Sequence, residues 1–295
     1  MRASDFAKAK KVSMIVALSC FMILTPFFVV VSATTTSLIP FSQPRIPVGQ
    51  SSVSSLNWAG YVVTGATGSV TDVKGSFVAP TFTCSSSGTY VAIWAGVDGY
   101  SSSTVEQAGF FAECTSSGAA PVYSTWYEFY PASPVYVTSQ VPISGGDNVY
   151  VDISYSANQF TATITSYNAQ GSQLGTYTTS ATTVSGAQEN SAEWIVERPA
   201  LCSAVTCTLS TLANFGTASL GLDYTSLSST NYATVSGTTG AIGSFPSSSI
   251  VALTMVSSSH NGKTLASPSQ LSSDGTSFNV SQPSSSGGGG HHGKP

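Results

Sequence analysis

In the run "VYVDISYSANQFTATITSY", residues 149–167, apolar side chains recur at every second position. Val149, Val151, Ile153 and Tyr155 share one face. After the turn-like "SANQ", Phe160, Ala162 and Ile164 alternate with Thr161, Thr163 and Thr165. Period two is the repeat of an extended strand, so this run reads as a hairpin with one buried and one wet face. Similar runs recur at "NWAGYVV", "VKGSFVA", "TYVAIWAGVDG", "STWYEFYP", "AEWIVERP", "ATVSG" and "SIVALTMV", separated by turn residues. No helical periodicity of any length interrupts them. Many short antiparallel strands spaced in this way predict an all-β chain, a β-sandwich of two antiparallel sheets.

The ends of the chain stand outside that pattern. Arg2, Lys8, Lys10 and Lys11 precede the apolar run Val12 to Val31, and "VSA" follows with Val31 and Ala33 at the positions that precede a cut. This is the layout of a secretory leader over 1–33. The run is also long enough to span a bilayer, so a retained anchor is the alternative. Residues 34–52, rich in Ser, Thr and Pro, read as a linker or a short propeptide. The β-sandwich is expected over 53–280, and 281–295 read as a flexible tail.

Charge excludes several functions. Charged residues are 7% of the chain, where about 25% is usual. Loss of residues 1–33 would remove four of the nine basic side chains and Asp5, leaving 5 basic and 12 acidic groups, a formal charge of −7. With no basic patch, nucleic acid is not an expected partner. After leader removal no membrane contact is expected, and a secreted, extracellular monomer is. Few carboxylates also means few groups to neutralise as pH falls, which suits an acidic habitat. Four cysteines remain, Cys84, Cys114, Cys202 and Cys207. An even number in an exported chain implies two disulfides. Three pairings are possible, and the local one, Cys84–Cys114 with Cys202–Cys207, is the simplest. The spacing suits no zinc site.

Alternation also sorts each strand into faces. Val91, Ile93, Ala95 and Val97 form an apolar set, opposite Trp94, Gly96 and Asp98. Tyr127 and Phe129 stand opposite Trp126, Glu128 and Tyr130; Trp194 and Val196 stand opposite Glu193, Ile195 and Glu197. Trp58, Gly60 and Val62 share a face. The face turned from the core thus carries Trp58, Trp94, Trp126, Glu128, Tyr130 and Glu197, where a plain wet face would be Ser and Thr. This reads as a ligand groove; the plainer reading is that these aromatics belong to the core of a curved sheet. Gln107, in "VEQAGFF", adds an amide in an apolar setting.

Only His260 lies in the expected domain, in a turn-like stretch, and there is no G-x-S-x-G elbow, HExxH or phosphate loop. Carboxylate chemistry remains: a Glu in an apolar groove has a raised pKa and can act as acid or base. The residues alone leave a glycoside hydrolase, a carbohydrate-binding sandwich and a peptidase open.

The order "NWAGY", "IWAGVDG", "VEQAG", "WYEFYP", "AEWIVE" resembles the glutamic peptidases, or eqolisins, from about Asn57 through Phe215. The resemblance implies a concanavalin-like sandwich of two seven-stranded antiparallel sheets whose concave face is the substrate groove. It implies cleavage of protein or peptide substrates at acidic pH by a Gln–Glu pair that activates water, with no cofactor or metal. Carried over, the catalytic residues are Gln107 and Glu197, and Glu193 matches a Glu that is not the catalyst. Trp58, Trp94, Asp98, Trp126, Glu128 and Tyr130 align with cleft-lining, substrate-binding positions. Glu128 is expected near enough to Glu197 for like charge to raise one pKa. Phe111 stands where a fungal member has Asp, and Glu106 replaces an aliphatic residue.

Overall fold

A computed structural model describes residues 37–39, 54–203, 206–258 and 262–284. The leader 1–33, the tail beyond 284, and His260 lie outside the described residues. Strands of four residues or more are, in chain order, β1 Trp58–Thr64, β2 Val70–Val78, β3 Thr89–Val97, β4 Val105–Cys114, β5 Val122–Tyr130, β6 Asn148–Ser156, β7 Gln159–Tyr167 and β8 Gln173–Thr178. They continue as β9 Ser191–Glu197, β10 Thr217–Leu220, β11 Tyr232–Val235, β12 Thr238–Ala241, β13 Ile250–Val256, β14 Thr264–Pro268 and β15 Phe278–Ser281. The one α-helical segment among the described residues is Leu222–Thr225.

These strands form a β-sandwich of two antiparallel sheets. The first runs Val135–Tyr136, β5, β4, β3, β9, β1, β13. The second runs β8, β7, β6, β2. Along the far edge of β2, β11 occupies one half and β10 the other, followed outward by β12 and β15. β14 pairs with β15 at one end and with β13 at the other, so it stitches the two sheets together along one side.

The β6–β7 hairpin turns through Ala157 and Asn158, both left-handed at φ 51° and 61°, with Ser156 opposite Gln159. Two left-handed central residues make the turn whose twist matches that of the strands it joins. The apolar alternation read from this segment is realised: Val149, Val151, Ile153, Phe160, Ala162 and Ile164 are all buried.

The main core fills the space between the sheets and contains Val91, Ile93, Ala95, Val97, Trp194 and Val196, with Tyr127 packed against it. Each valine and isoleucine among them contributes roughly 1.5–3 kcal/mol on burial. Trp194 reaches across, its indole N–H donating to the Lys74 carbonyl at 2.9 Å. Where β2 crosses β3 the sheets come so close that a Cβ on Gly75 would lie 2.7 Å from that of Ala95, so only glycine fits there. Two disulfides, Cys84–Cys114 and Cys202–Cys207, realise the local pairing. The first ties the end of β4 to the segment before β3. The second closes a turn between Ala200–Cys202 and Cys207–Leu209, just beyond β9.

Candidate active site

The outer face of the first sheet carries a second apolar cluster: Trp58, Val62, Ala92, Trp94, Val105, Phe111, Trp126, Ile195 and Leu253, with Tyr130 packed against it. This is the face that alternation separated from the core. Cross-strand register orders it into rows. One row reads Val62, Glu193, Gly96, Gln107, Glu128 across β1, β9, β3, β4 and β5. The next reads Gly60, Ile195, Trp94, Gly109, Trp126. The third reads Trp58, Glu197, Ala92, Phe111, Ser124.

Gln107 and Glu128 are direct cross-strand neighbours, and the Gln107 amide donates from Nε2 to Glu128 Oε2 at 2.8 Å. Both are fully buried. Burial pushes the Glu128 carboxyl well above the usual carboxylate range; the Gln107 bond pulls it back, and the charge of Glu197 adds to the rise. The charge of Glu197 thus reaches Glu128 across the face, although its strand is separated from β4 by β3 and it stands two rows along from Gln107 and Glu128. Glu197 is itself held by the Trp94 indole N–H, which donates to Oε2 at 2.8 Å. Trp94 is braced by Trp58, edge to face with centroids 4.9 Å apart.

Several polar atoms on this face remain unsatisfied among the described residues. Gln107 Oε1, Glu128 Oε1 and the indole nitrogens of Trp58 and Trp126 are buried without a hydrogen-bond partner. Such orphans are rare in native folds and each calls for an explanation. Here an amide carbonyl, a carboxyl oxygen and two N–H donors lie on one face, the inventory a polar ligand or water would satisfy.

The other end of β9 is a different environment. Asp98, expected to line the cleft, is a loop clamp: its carboxylate accepts from the backbone N–H groups of Gln188, Glu189 and Asn190 at 2.7, 2.9 and 3.0 Å. Its own φ of 68° turns the chain to meet them. Three backbone donors occupy it, so it has little left to offer a substrate. Glu193 lies fully buried nearby, both oxygens without a hydrogen bond of normal geometry. Burial raises its pKa well above the usual range, Ser191 opposes, and the charges of Asp98 and Glu106 add. Glu106 stands on the core face of β4, opposite Val97 and Phe129. Burial, with Asp98 next, pushes it up to about 9. Thr104 stands beside it and lowers it slightly, yet neither oxygen makes a bond of normal geometry.

Phe111 packs its ring on Trp126, centroids 4.8 Å apart and planes 22° apart, and Tyr136 leans on its edge at 6.1 Å. Two links were not visible in the sequence: the Gln107–Glu128 bond and the Phe111–Trp126–Tyr136 stack. Both depend on the register between β4 and β5. The seven-residue connection 115–121 leaves that register open.

A model of the peptidase A4 family matches residues 56–274. The chain belongs to the peptidase A4 family. Its members are the eqolisins, or glutamic peptidases. This A4-family chain is similar in fold to scytalido-glutamic peptidase, solved with a peptide-based transition-state analogue, with a TM-score of 0.60 and 20% identity over 77% of this chain and 98% of that one. It is likewise similar to SCP-B, an eqolisin solved with the tripeptide Ala-Ile-His, with a TM-score of 0.57 and 19% identity over 77% and 98%. Aspergilloglutamic peptidase from Aspergillus niger aligns at 27% identity over 66% of this chain and 99% of that one, with a TM-score of 0.49. A search among curated protein sequences finds no match. Among the described residues of this A4-family chain, no helix is long and apolar enough to cross a membrane.

Proposed function

We propose that this glutamic peptidase is a secreted endopeptidase that cleaves peptide bonds at acidic pH, with Gln107 and Glu197 as the catalytic pair. One observation carries the reading: the neutral Gln107 carboxamide and the Glu197 carboxyl, from separate strands, share a buried aromatic face with Glu128, which bonds the amide and feels the Glu197 charge, while Gln107 Oε1 and Glu128 Oε1 have no hydrogen-bond partner among the described residues. Glu197, held by Trp94, takes a proton from the attacking water and later delivers one to the leaving amine. Gln107 is neutral at every pH. Its second amide hydrogen is free to donate to the developing oxyanion while its carbonyl holds the water.

The acid preference follows from the carboxyl pair. Burial, and then the charge of Glu197, raise the Glu128 pKa, so the working state carries its proton on Glu128. Activity then falls as pH rises through the raised Glu128 pKa and that proton leaves. Secretion is supported by the leader-like 1–33 and by the two disulfides.

The family match favours the peptidase over the carbohydrate reading. Trp58, Trp94 and Trp126 pack on one another or on Phe111 and are as fully buried as Gln107 and Glu197. The decisive measurement is digestion of denatured protein across pH 2–8 by wild type, Gln107→Ala and Glu197→Ala. Wild type is expected to cleave on the acid side, and each variant to fall by about 10²–10³ or more. Full activity in both variants refutes the assignment.

A further inference from the structure

We propose that Glu128 is a positioning residue that fixes which way the Gln107 carboxamide faces. This deepens the peptidase reading and rests on it. A primary amide has two nearly isosteric orientations that exchange a donor for an acceptor. In an oxyanion site they are opposites: one presents N–H to the developing charge, the other a carbonyl that repels it.

The surroundings of Gln107 supply one selector. On the β3 side its cross-strand neighbour is Gly96, which has no side chain. A Cβ there would meet the Glu106 carbonyl at 2.8 Å and the Gln107 Cβ at 3.0 Å, so that position is kept empty by close packing. Beyond it in the same row stands Glu193, which belongs electrostatically to the Asp98 end of the sheet. On the β5 side stands Glu128, bonded through Oε2 to Gln107 Nε2 at 2.8 Å. Gln107 Oε1 makes no hydrogen bond among the described residues. The acceptor on β5 therefore holds one amide hydrogen, and the empty place on β3 leaves the carbonyl and the second hydrogen for the reaction. Both side chains are fully buried, so water does not compete for the bond. Burial keeps Glu128 protonated on the acid side, and a neutral carboxyl still accepts at one oxygen while its other oxygen carries the proton.

Glu128 acts through Gln107 on this reading rather than on the substrate, and kinetics separates the two. The full-length secreted protein is compared as wild type, Glu128→Ala and Glu128→Gln, with kcat and KM measured on one peptide across pH 2–8 and folding checked by thermal melting. Glu128→Ala loses the selector, so kcat is expected to fall about ten- to hundredfold with KM within about threefold. Glu128→Gln places an amide oxygen where Oε2 was. It is expected to recover most of kcat at acid pH and to shift the alkaline limb of the profile, because the residue that titrated there is gone. A merely structural role would move neither the limb nor the balance between kcat and KM. A rise in KM with kcat unchanged makes Glu128 a cleft-lining residue and overturns the proposal. Glu128→Gln as damaging as Glu128→Ala means that Glu128 supplies a proton, which also overturns it. Should Glu128→Ala fail to fold, the pH profile of Glu128→Gln decides alone: an unshifted alkaline limb or unrecovered kcat rejects the positioning role. A wild type that cleaves nothing rejects the peptidase reading instead, so the two failures are distinguishable.

Discussion

Strand β9 has two ends that began as the same chemistry and were finished differently. At one end Glu197 accepts from the Trp94 indole, two cross-strand rows along from Gln107 and Glu128. At the other, Glu193 is sealed near Asp98 and Glu106 with neither oxygen bonded. Both are fully buried carboxyls in apolar surroundings, and burial raises the pKa of Glu193. The difference lies in the company: Glu197 is held by an indole N–H and its charge reaches Glu128, whereas neither oxygen of Glu193 makes a bond of normal geometry. A perturbed pKa by itself marks a dry carboxyl. A perturbed pKa facing an oriented, partly unpaired amide marks a candidate site.

Four changes would break or sharpen that contrast. The largest effect is expected from Glu197→Gln beside Glu193→Gln: the first should lose about 10³-fold or more in kcat with stability little changed, the second should keep kcat within a few-fold. Equal loss in both would erase the distinction between the ends. Next comes the pH dependence of stability. Glu106 has a folded pKa of about 9 against an ordinary value of 4.5. The folded chain therefore holds a proton that the unfolded chain has released, and stability declines as pH rises from 4.5 to about 9. At about 1.4 kcal/mol for each pH unit crossed, the decline is several kcal/mol. Denaturant midpoints at pH 4, 6 and 8 should fall in wild type and fall less steeply in Glu106→Gln, where Glu128 and Glu193 still contribute; parallel lines for the two would show that Glu106 is not a cause. Asp98→Asn keeps the shape but loses the charge that gathers three backbone donors, at a cost of about 2–4 kcal/mol. A melting temperature unchanged at pH 6 would mean that the clamp is dispensable. The smallest effect is expected from Trp94→Phe, which removes the indole donor to Glu197 and should lower kcat about tenfold at its optimum, readable against a Glu197→Gln background in which it should do nothing further.

The two faces of the first sheet were legible because side-chain period in a strand is fixed by geometry. Trp58, Trp94, Trp126, Glu128 and Glu197 all fall on the face that alternation assigned them. The second sheet beyond β2 was less so. β10, β14 and β15 are short and polar on their outer positions, such as Thr217, Ser219 and Ser281, and Ser/Thr-rich text reads equally well as turn. Partnership was illegible. Nothing local says that Gln107 sits opposite Glu128, since a one-residue slip between β4 and β5 would pair it with a core residue instead. The partners of Asp98 were equally illegible: alternation placed it beyond Gly96 on the groove side, and its left-handed backbone and a loop some 90 residues onward, gathered by its carboxylate, appear only in the structure. The tolerance of acid inferred from scarce carboxylates also has a second physical source, for the buried acids are neutral there.

The placement of β9 between β1 and β3 has a consequence for how the molecule is made. β1 and β3 leave the ribosome early, yet each must wait with a raw hydrogen-bonding edge until residues 191–197 arrive to fill the slot between them. Gln107 and Glu128 can meet before then, but Glu197 cannot join them. On the proposed assignment of Gln107 and Glu197, a chain that stops short of residue 191 would lack half of its catalytic pair, so cutting would begin only with the finished sheet.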